Sequence, residues 1–354
     1  MFDNVSTTNT VAGQITPFDL GISYWREFLA AFYIYCVVIP PLSVFGFVGN
    51  IFCCKILVRS GLGQPSNIIL FALAIADICT VQINVARILY TYAPSVQNNL
   101  YGWMTDYNTA MCAYLYLVAV TFIHNVGGYT SASFSVVITI ERLIAVFLPL
   151  RFASIVSPVR AWLVVSAVYL FWMPWCLFTA TLYRFNYAMV PFYNTSVGRV
   201  AYTDFFYANF DIITNFNFNI INTLSTAVPL VFVTVGCIIV SVMIKVNLRK
   251  RQKMTSSTKK TSSTHTTATL LAICFMFVIS HSILYLCDLI SNSLFDFRDK
   301  SSSGFFIVLV IPLQNLLKTI NSSSNFIIYI IMNPKFRKIF IEIITRDTFK
   351  RKLI

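Results

Sequence analysis

The stretch Asn67-Ile-Ile-Leu-Phe-Ala-Leu-Ala-Ile-Ala-Asp77 holds ten uncharged residues and then a single carboxylate. It lies within a longer run, residues 60–86, in which Asp77 is the only charge. Such a run can cross a bilayer, because ~30 Å of hydrocarbon takes about 20 apolar residues at ~1.5 Å each. Working outward, the same pattern recurs at 28–54, 107–140, 161–183, 212–244, 261–287 and 301–334, the last broken only by Lys318. Trimming polar ends predicts seven helices near 31–56, 66–91, 110–141, 161–182, 220–246, 267–291 and 305–332. The apolar residues do not alternate, which argues against a β-barrel. Over all 354 residues, 57% are hydrophobic and 11% charged, against about 25% charged in an average soluble protein. A soluble globule with so few charges could not cover its surface, and disorder requires the opposite balance. The expected fold is an all-α membrane protein. Residues 1–30 form an N-terminal segment, 31–332 a seven-transmembrane-helix bundle, and 333–354 a short amphipathic eighth helix and tail.

Charge placement orients the bundle. With the N-terminus outside, nineteen of the 26 basic residues fall on cytoplasmic segments, seven of them from Lys245 to Lys260 and seven from Lys335 to Lys352. The positive-inside rule therefore predicts an extracellular N-terminus and a cytoplasmic C-terminus. The net charge of +13 is then a cytoplasmic property that favours anionic lipid and implies no nucleic acid. Asn4 and Asn194 begin Asn-x-Ser/Thr sequons on outer segments and are candidate glycosylation sites. A third sequon, at Asn321, lies in the seventh helix and should be inert. The first residues lack a basic-flanked apolar core, so the first helix is expected to serve as the insertion signal.

Ionisable groups inside lipid mark the candidate sites, since each costs a few kcal/mol unless it is paired or used. Asp77 has Asn50, Ser131, Asn321, Ser322 and Asn325 available to it. Asn321, Asn325 and Tyr329 recur every four residues and share one helix face. A carboxylate among amides and hydroxyls is protonated, hydrogen-bonded in a packing network, or holding a small cation. Glu141-Arg142 closes the third helix, either as a solvated helix end or as a local pair whose guanidinium can be released to another acceptor. His124, His281 and Lys318 are candidate ligand contacts or structural groups held within the bundle. Three cationic or cationisable groups in one half favour an anionic ligand. Neither metal-ligand spacing nor a nucleophile–base pair stands out, so no enzyme activity, metal or organic cofactor is expected.

These residues resemble the rhodopsin-like G-protein-coupled receptors. Gly49-Asn50, Leu73-Ala-Ile-Ala-Asp77, Glu141-Arg142-Leu143, Asn325-Phe-Ile-Ile-Tyr329 and Phe336-Arg-Lys-Ile-Phe340 are similar to that family's motifs, in order and one per expected helix. The run Asn321-Ser-Ser-Ser-Asn325 looks most like invertebrate FMRFamide-type neuropeptide receptors and nematode serpentine chemoreceptors. The resemblance implies a plasma-membrane receptor for an extracellular peptide or small chemical, coupled to a heterotrimeric G protein. It would make Asp77, Ser131, Asn321 and Asn325 an allosteric sodium site. Glu141, Arg142, Asn325 and Tyr329 would be activation and coupling residues, and His124 the floor of a ligand cavity.

The sequence also departs from the family. The long outer loop has no cysteine for the usual disulfide, the sixth helix lacks Trp-x-Pro, Phe326 replaces a proline, and Cys237 stands where a tyrosine is expected. No acid occurs between Lys245 and Cys287 to latch Arg142. Chemosensing without conventional G-protein coupling is therefore one alternative, and a transporter or channel with Asp77 and Lys318 as pathway charges is another. An opsin is disfavoured because Lys318 is turned ~100° from a Schiff-base position.

Overall fold

A chain segment surrounded by hydrocarbon must satisfy its backbone hydrogen bonds internally, and here the apolar stretches do so as helices. The computed structural model describes residues 29–30, 33–81, 106–190, 195–254, 262–294 and 300–351. In chain order these are α1 (Ile34–Ser60), α2 (Pro65–Val81), α3 (Tyr107–Phe147), α4 (Pro158–Thr181), a hairpin of β1 (Tyr183–Val190) and β2 (Thr195–Tyr202), α5 (210–254), α6 (Ser262–Leu294), α7 (Lys300–Met332) and α8 (Pro334–Arg351). Among the described residues, α1, α3, α4, α5 and α6 are long and apolar enough to cross a membrane, and α2 is apolar over its 17 residues. Asn4 and Asn194 lie outside the described residues.

Local chemistry sets the helix ends. The Asp106 side chain caps α3 by accepting from the Thr109 backbone N–H at 2.7 Å, a bond that holds this carboxyl below its ordinary value. Ser157 caps α4 directly ahead of Pro158, whose missing N–H costs nothing at the first helical position. Prolines also shape helix interiors. A π-helical turn, Ile34–Val38, precedes Pro40 and Pro41 in α1, and two more, Asn217–Ile221 and Thr223–Ala227, precede Pro229 in α5. A proline removes a donor and crowds the preceding turn, and a wider turn absorbs both.

Several boundaries differ from the sequence expectation. The third helix does not end at Glu141-Arg142 but continues to Phe147. The fifth begins at Phe210 rather than near 220, and its basic end through Met254 is helical rather than loop. Lysine and arginine are good helix formers, so an amphiphilic extension beyond the apolar span is favourable. The eighth helix is longer than expected, 18 residues that take up most of the tail. The long segment after α4 forms the antiparallel hairpin, with Tyr183 opposite Tyr202.

Packing is inside-out relative to a soluble protein. Leu170, Phe171, Val231 and Ile331 are each at least 60% exposed, while Asp77 is fully buried. Small residues let the helices approach. A Cβ on Gly127 of α3 would lie 2.6 Å from the Ala76 carbonyl and 2.8 Å from the Thr80 amide of α2. On α1, a Cβ on Gly49 would lie 2.9 Å from that of Phe326 on α7. Phe326 fills this groove and meets Phe45, Phe52 and Phe340, joining α1, α7 and α8. Close backbone approach through small residues is how membrane helices gain dispersion energy without a hydrophobic drive between them.

The hairpin is held to the end of α3 by packing. Gly198 sits on Ala110, leaving no room for a Cβ. The Tyr114 hydroxyl donates to the Tyr183 carbonyl at 3.0 Å, and Tyr107 meets Phe185 and Tyr187 edge-on. None of the nine cysteines, all of them among the described residues, forms a disulfide.

Candidate functional site

At the hairpin end of the bundle, α2, α3, α5, α6 and α7 surround a cavity of about 270 Å³. Helix α3 contributes His124, Asn125 and Ser131. The π-helical part of α5 contributes Asn217, Asn222 and Ser225, because its widened turns carry amides and hydroxyls into the interior. Helix α6 supplies His281 and Asp288, and α7 supplies Gln314, Lys318 and Asn321. All three proposed ligand contacts, His124, His281 and Lys318, therefore meet in one cavity.

Each histidine is tied to backbone. His124 Nδ1 lies 2.7 Å from the Thr80 carbonyl across the α2–α3 contact. His281 Nδ1 lies 3.2 Å from the Phe277 carbonyl, and its ring stacks on Phe277 with centroids 3.8 Å apart. A carbonyl only accepts, so Nδ1 carries the proton in both.

Asp288 adds an acid to the three cationic or cationisable groups. The Gln314 amide donates to Asp288 Oδ1 at 2.7 Å, and Lys318 is close enough to interact electrostatically with both Asp288 and His281. The cavity thus carries both signs of charge. Asp288 marked the boundary of an uncharged stretch in the sequence, but α6 runs past it to Leu294 and turns it inward.

The cavity floor is also the roof of the Asp77 cluster. Ser131 lines the cavity and donates to Asp77 Oδ1 at 2.9 Å. Ser322 lines it too and hydrogen-bonds Asp77, while its carbonyl accepts from Asn50 Nδ2 at 2.9 Å. Below them, Asn325 Nδ2 donates to Asp77 Oδ2 at 2.7 Å. Of the expected ion-site residues, Asp77, Ser131 and Asn325 are in direct contact, whereas Asn321 faces the cavity one turn away. The partners of Asp77 are all neutral. Asn50 Oδ1 is buried with no hydrogen-bond partner among the described residues. Carboxylate, hydroxyl and amide oxygens are the ligands a hard cation takes, so these residues fit a small monovalent ion.

Toward the α8 end, Arg142 pairs with Glu141 at 2.9 Å and donates to the Ser66 hydroxyl at 2.9 Å. Ser66 in turn donates to Glu141 through a short hydrogen bond. The guanidinium is held locally, as the dipeptide suggested, and α2 supplies a third member that no sequence signal marked. Tyr329, one turn below Asn325, stacks on Phe336 of α8 at 5.0 Å. Its buried hydroxyl and Arg142 Nε have no hydrogen-bond partner among the described residues. Between these groups, Thr139 Oγ1 lies 3.7 Å from Cys274 Sγ, and Cys274 is hydrogen-bonded to Cys237. Helices α3, α5 and α6 are thus joined by weak polar contacts.

The arrangement combines a polar cavity, a buried carboxylate cluster beneath it and an ion-paired arginine at the far end. No curated protein matches the sequence. A family profile described as the serpentine type 7TM GPCR chemoreceptor Srw matches residues 37–347, nearly the whole bundle and α8. The chain belongs to this Srw family of serpentine seven-transmembrane chemoreceptors.

Proposed function

We propose that the chain is a plasma-membrane receptor that binds an extracellular molecule in the cavity and activates a heterotrimeric G protein. The observation that carries this reading is the shared floor, where Ser131 and Ser322 line the cavity and also bond Asp77. A ligand that moves either serine alters the environment of the buried carboxylate. Asn325 links that carboxylate to the turn bearing Tyr329.

The ligand acts through its differential affinity for two arrangements of the bundle. In the active one, the α8 end of α6 moves away from α3, and Arg142 leaves Glu141 and Ser66 for the G protein. The Tyr329 hydroxyl and Arg142 Nε support this reading. An unsatisfied buried polar atom costs about 1–3 kcal/mol, so a rearrangement that gives each a partner recovers that cost. The N-terminus and hairpin face outward, Asn4 and Asn194 are glycosylated, and the basic helical end of α5 meets anionic lipid. Asp77, Ser131, Asn321 and Asn325 would hold a sodium ion, whose charge offsets the carboxylate when bound.

The test is a nucleotide-exchange screen in membranes carrying the full chain, with amidated peptides and small odorants as probes. An active probe should lose its response in Arg142→Ala while still binding. A response that survives this substitution would remove Arg142 from the mechanism.

A further inference from the structure

We propose that the cavity selects a small zwitterion, a molecule bearing an ammonium and a carboxylate a few carbons apart, with the ammonium at Asp288 and the carboxylate at Lys318. This rests on the reading of the cavity as the ligand site. Gln314 and Lys318 are four residues apart on α7, so Lys318 lies one turn, about 6 Å, deeper than the amide that holds Asp288. Both side chains line the one cavity, Asp288 held by Gln314 and Lys318 rooted one turn further along α7.

Three physical arguments lead to this class. The first is size: about 270 Å³ is just below the usual range for small-molecule sites, roughly 300–1,000 Å³. The second is the lining. Most ligand sites are apolar with a few polar anchors, whereas the wall from α5 here presents Asn217, Asn222 and Ser225. An apolar ligand would desolvate these groups without replacing their hydrogen bonds, at a cost of about 1–3 kcal/mol each. The third is charge balance. A lone amine can answer Asp288 but leaves Lys318 desolvated, and a lone acid leaves Asp288 desolvated. One dipolar ligand exchanges the interaction of the two side chains with each other for two new charge-assisted contacts and strands neither.

The test uses the full-length chain purified in detergent and an ω-amino acid series from glycine through γ-aminobutyrate to ε-aminocaproate. The n-alkylamine and n-alkanoate of each length serve as controls, and binding is read as a rise in unfolding temperature. One chain length, or two adjacent ones, should stabilise the protein where both monofunctional controls do not. Asp288→Asn and Lys318→Gln should each weaken that zwitterion at least tenfold. Asp288→Glu should move the optimum to a chain shorter by one methylene, which a merely structural role for Asp288 would not do. The wild-type comparison stands even where a variant fails to fold. A control that binds as tightly as the zwitterion, or a series in which no member binds, overturns the proposal.

Nucleotide exchange in membranes separates this inference from the reading beneath it. A zwitterion that binds without stimulating exchange upholds the inference and counts against G-protein coupling. Exchange driven by a peptide or an uncharged odorant, with no binding by the series, upholds the receptor and overturns the zwitterion.

Discussion

Gly127 brings α3 onto the backbone of α2, and what opposes a Cβ there is a carbonyl and an amide that cannot rotate away. Gly127→Ala should therefore destabilise the bundle by about 1–3 kcal/mol, the usual cost of overpacking. Gly128, its neighbour, has open space where a Cβ would go, so Gly128→Ala should leave stability unchanged or raise it through better helix propensity. Unfolding temperatures of the two variants in one detergent check this; equal losses would mean that helix packing at Gly127 is not the cause. The pair shows what was legible at this scale. Asp77, Ser131 and Asn325 could be grouped from sequence because a carboxylate in an apolar helix must be answered by polar neighbours. Gly127, Ser66 and Asp288 could not, because each gains its role from an element distant in the chain. Asp288 and Ser66 are ordinary at a helix end, and only packing against α7 and α3 gives them partners.

Among the elements, α5 and α6 carry two of the departures from the family pattern. The asparagines of residues 215–222 read as the polar end of an outer loop, so the predicted fifth helix started too late. Two of them, Asn217 and Asn222, sit in the π-helical segment and line the cavity. Periodicity alone missed them because a π-turn shifts the face of every residue that follows. At the other end, Cys237 stands where the resemblance implies a tyrosine, and Cys274 meets Thr139 through a weak contact at 3.7 Å. If α6 must part from α3 for signalling, a covalent tie between them should silence the receptor. Thr139 Oγ1 and Cys274 Sγ are 3.7 Å apart, so a cysteine at 139 is well placed for a disulfide, whose sulfurs sit about 2.05 Å apart. In a Cys237→Ala background, Thr139→Cys oxidised with copper-phenanthroline should lose ligand-stimulated nucleotide exchange and regain it with dithiothreitol. The same variant carrying Cys274→Ala should be indifferent to oxidation. A disulfide verified by mass with exchange undiminished would show that α6 signals without leaving α3.

For the whole molecule, the sorting of charge is the organising fact. Among the described residues, many large apolar side chains face outward, while Asp288, Lys318, Asn321, Asp77, Asn325 and Arg142 form a polar column from the cavity toward α8. The seven-helix architecture was legible for this reason: hydrocarbon forces the spacing of charges to report the spans. The hairpin was not, because water imposes no such spacing on residues 183–202. Under the proposed function the column would also link two ligands. An ion at Asp77 and a molecule above it share Ser131 and Ser322, so each should alter the affinity for the other by the same factor. Exchanging potassium for sodium at constant ionic strength should therefore weaken an activating ligand by several-fold. Asp77→Asn keeps the side-chain size but removes the charge that attracts the ion, so its ligand affinity should be indifferent to the exchange. Competition binding in membranes, with both salts and both proteins, measures the coupling. A sodium effect of equal size in Asp77→Asn would place the ion elsewhere and leave the Asp77 cluster as a hydrogen-bonded strut between α2, α3 and α7.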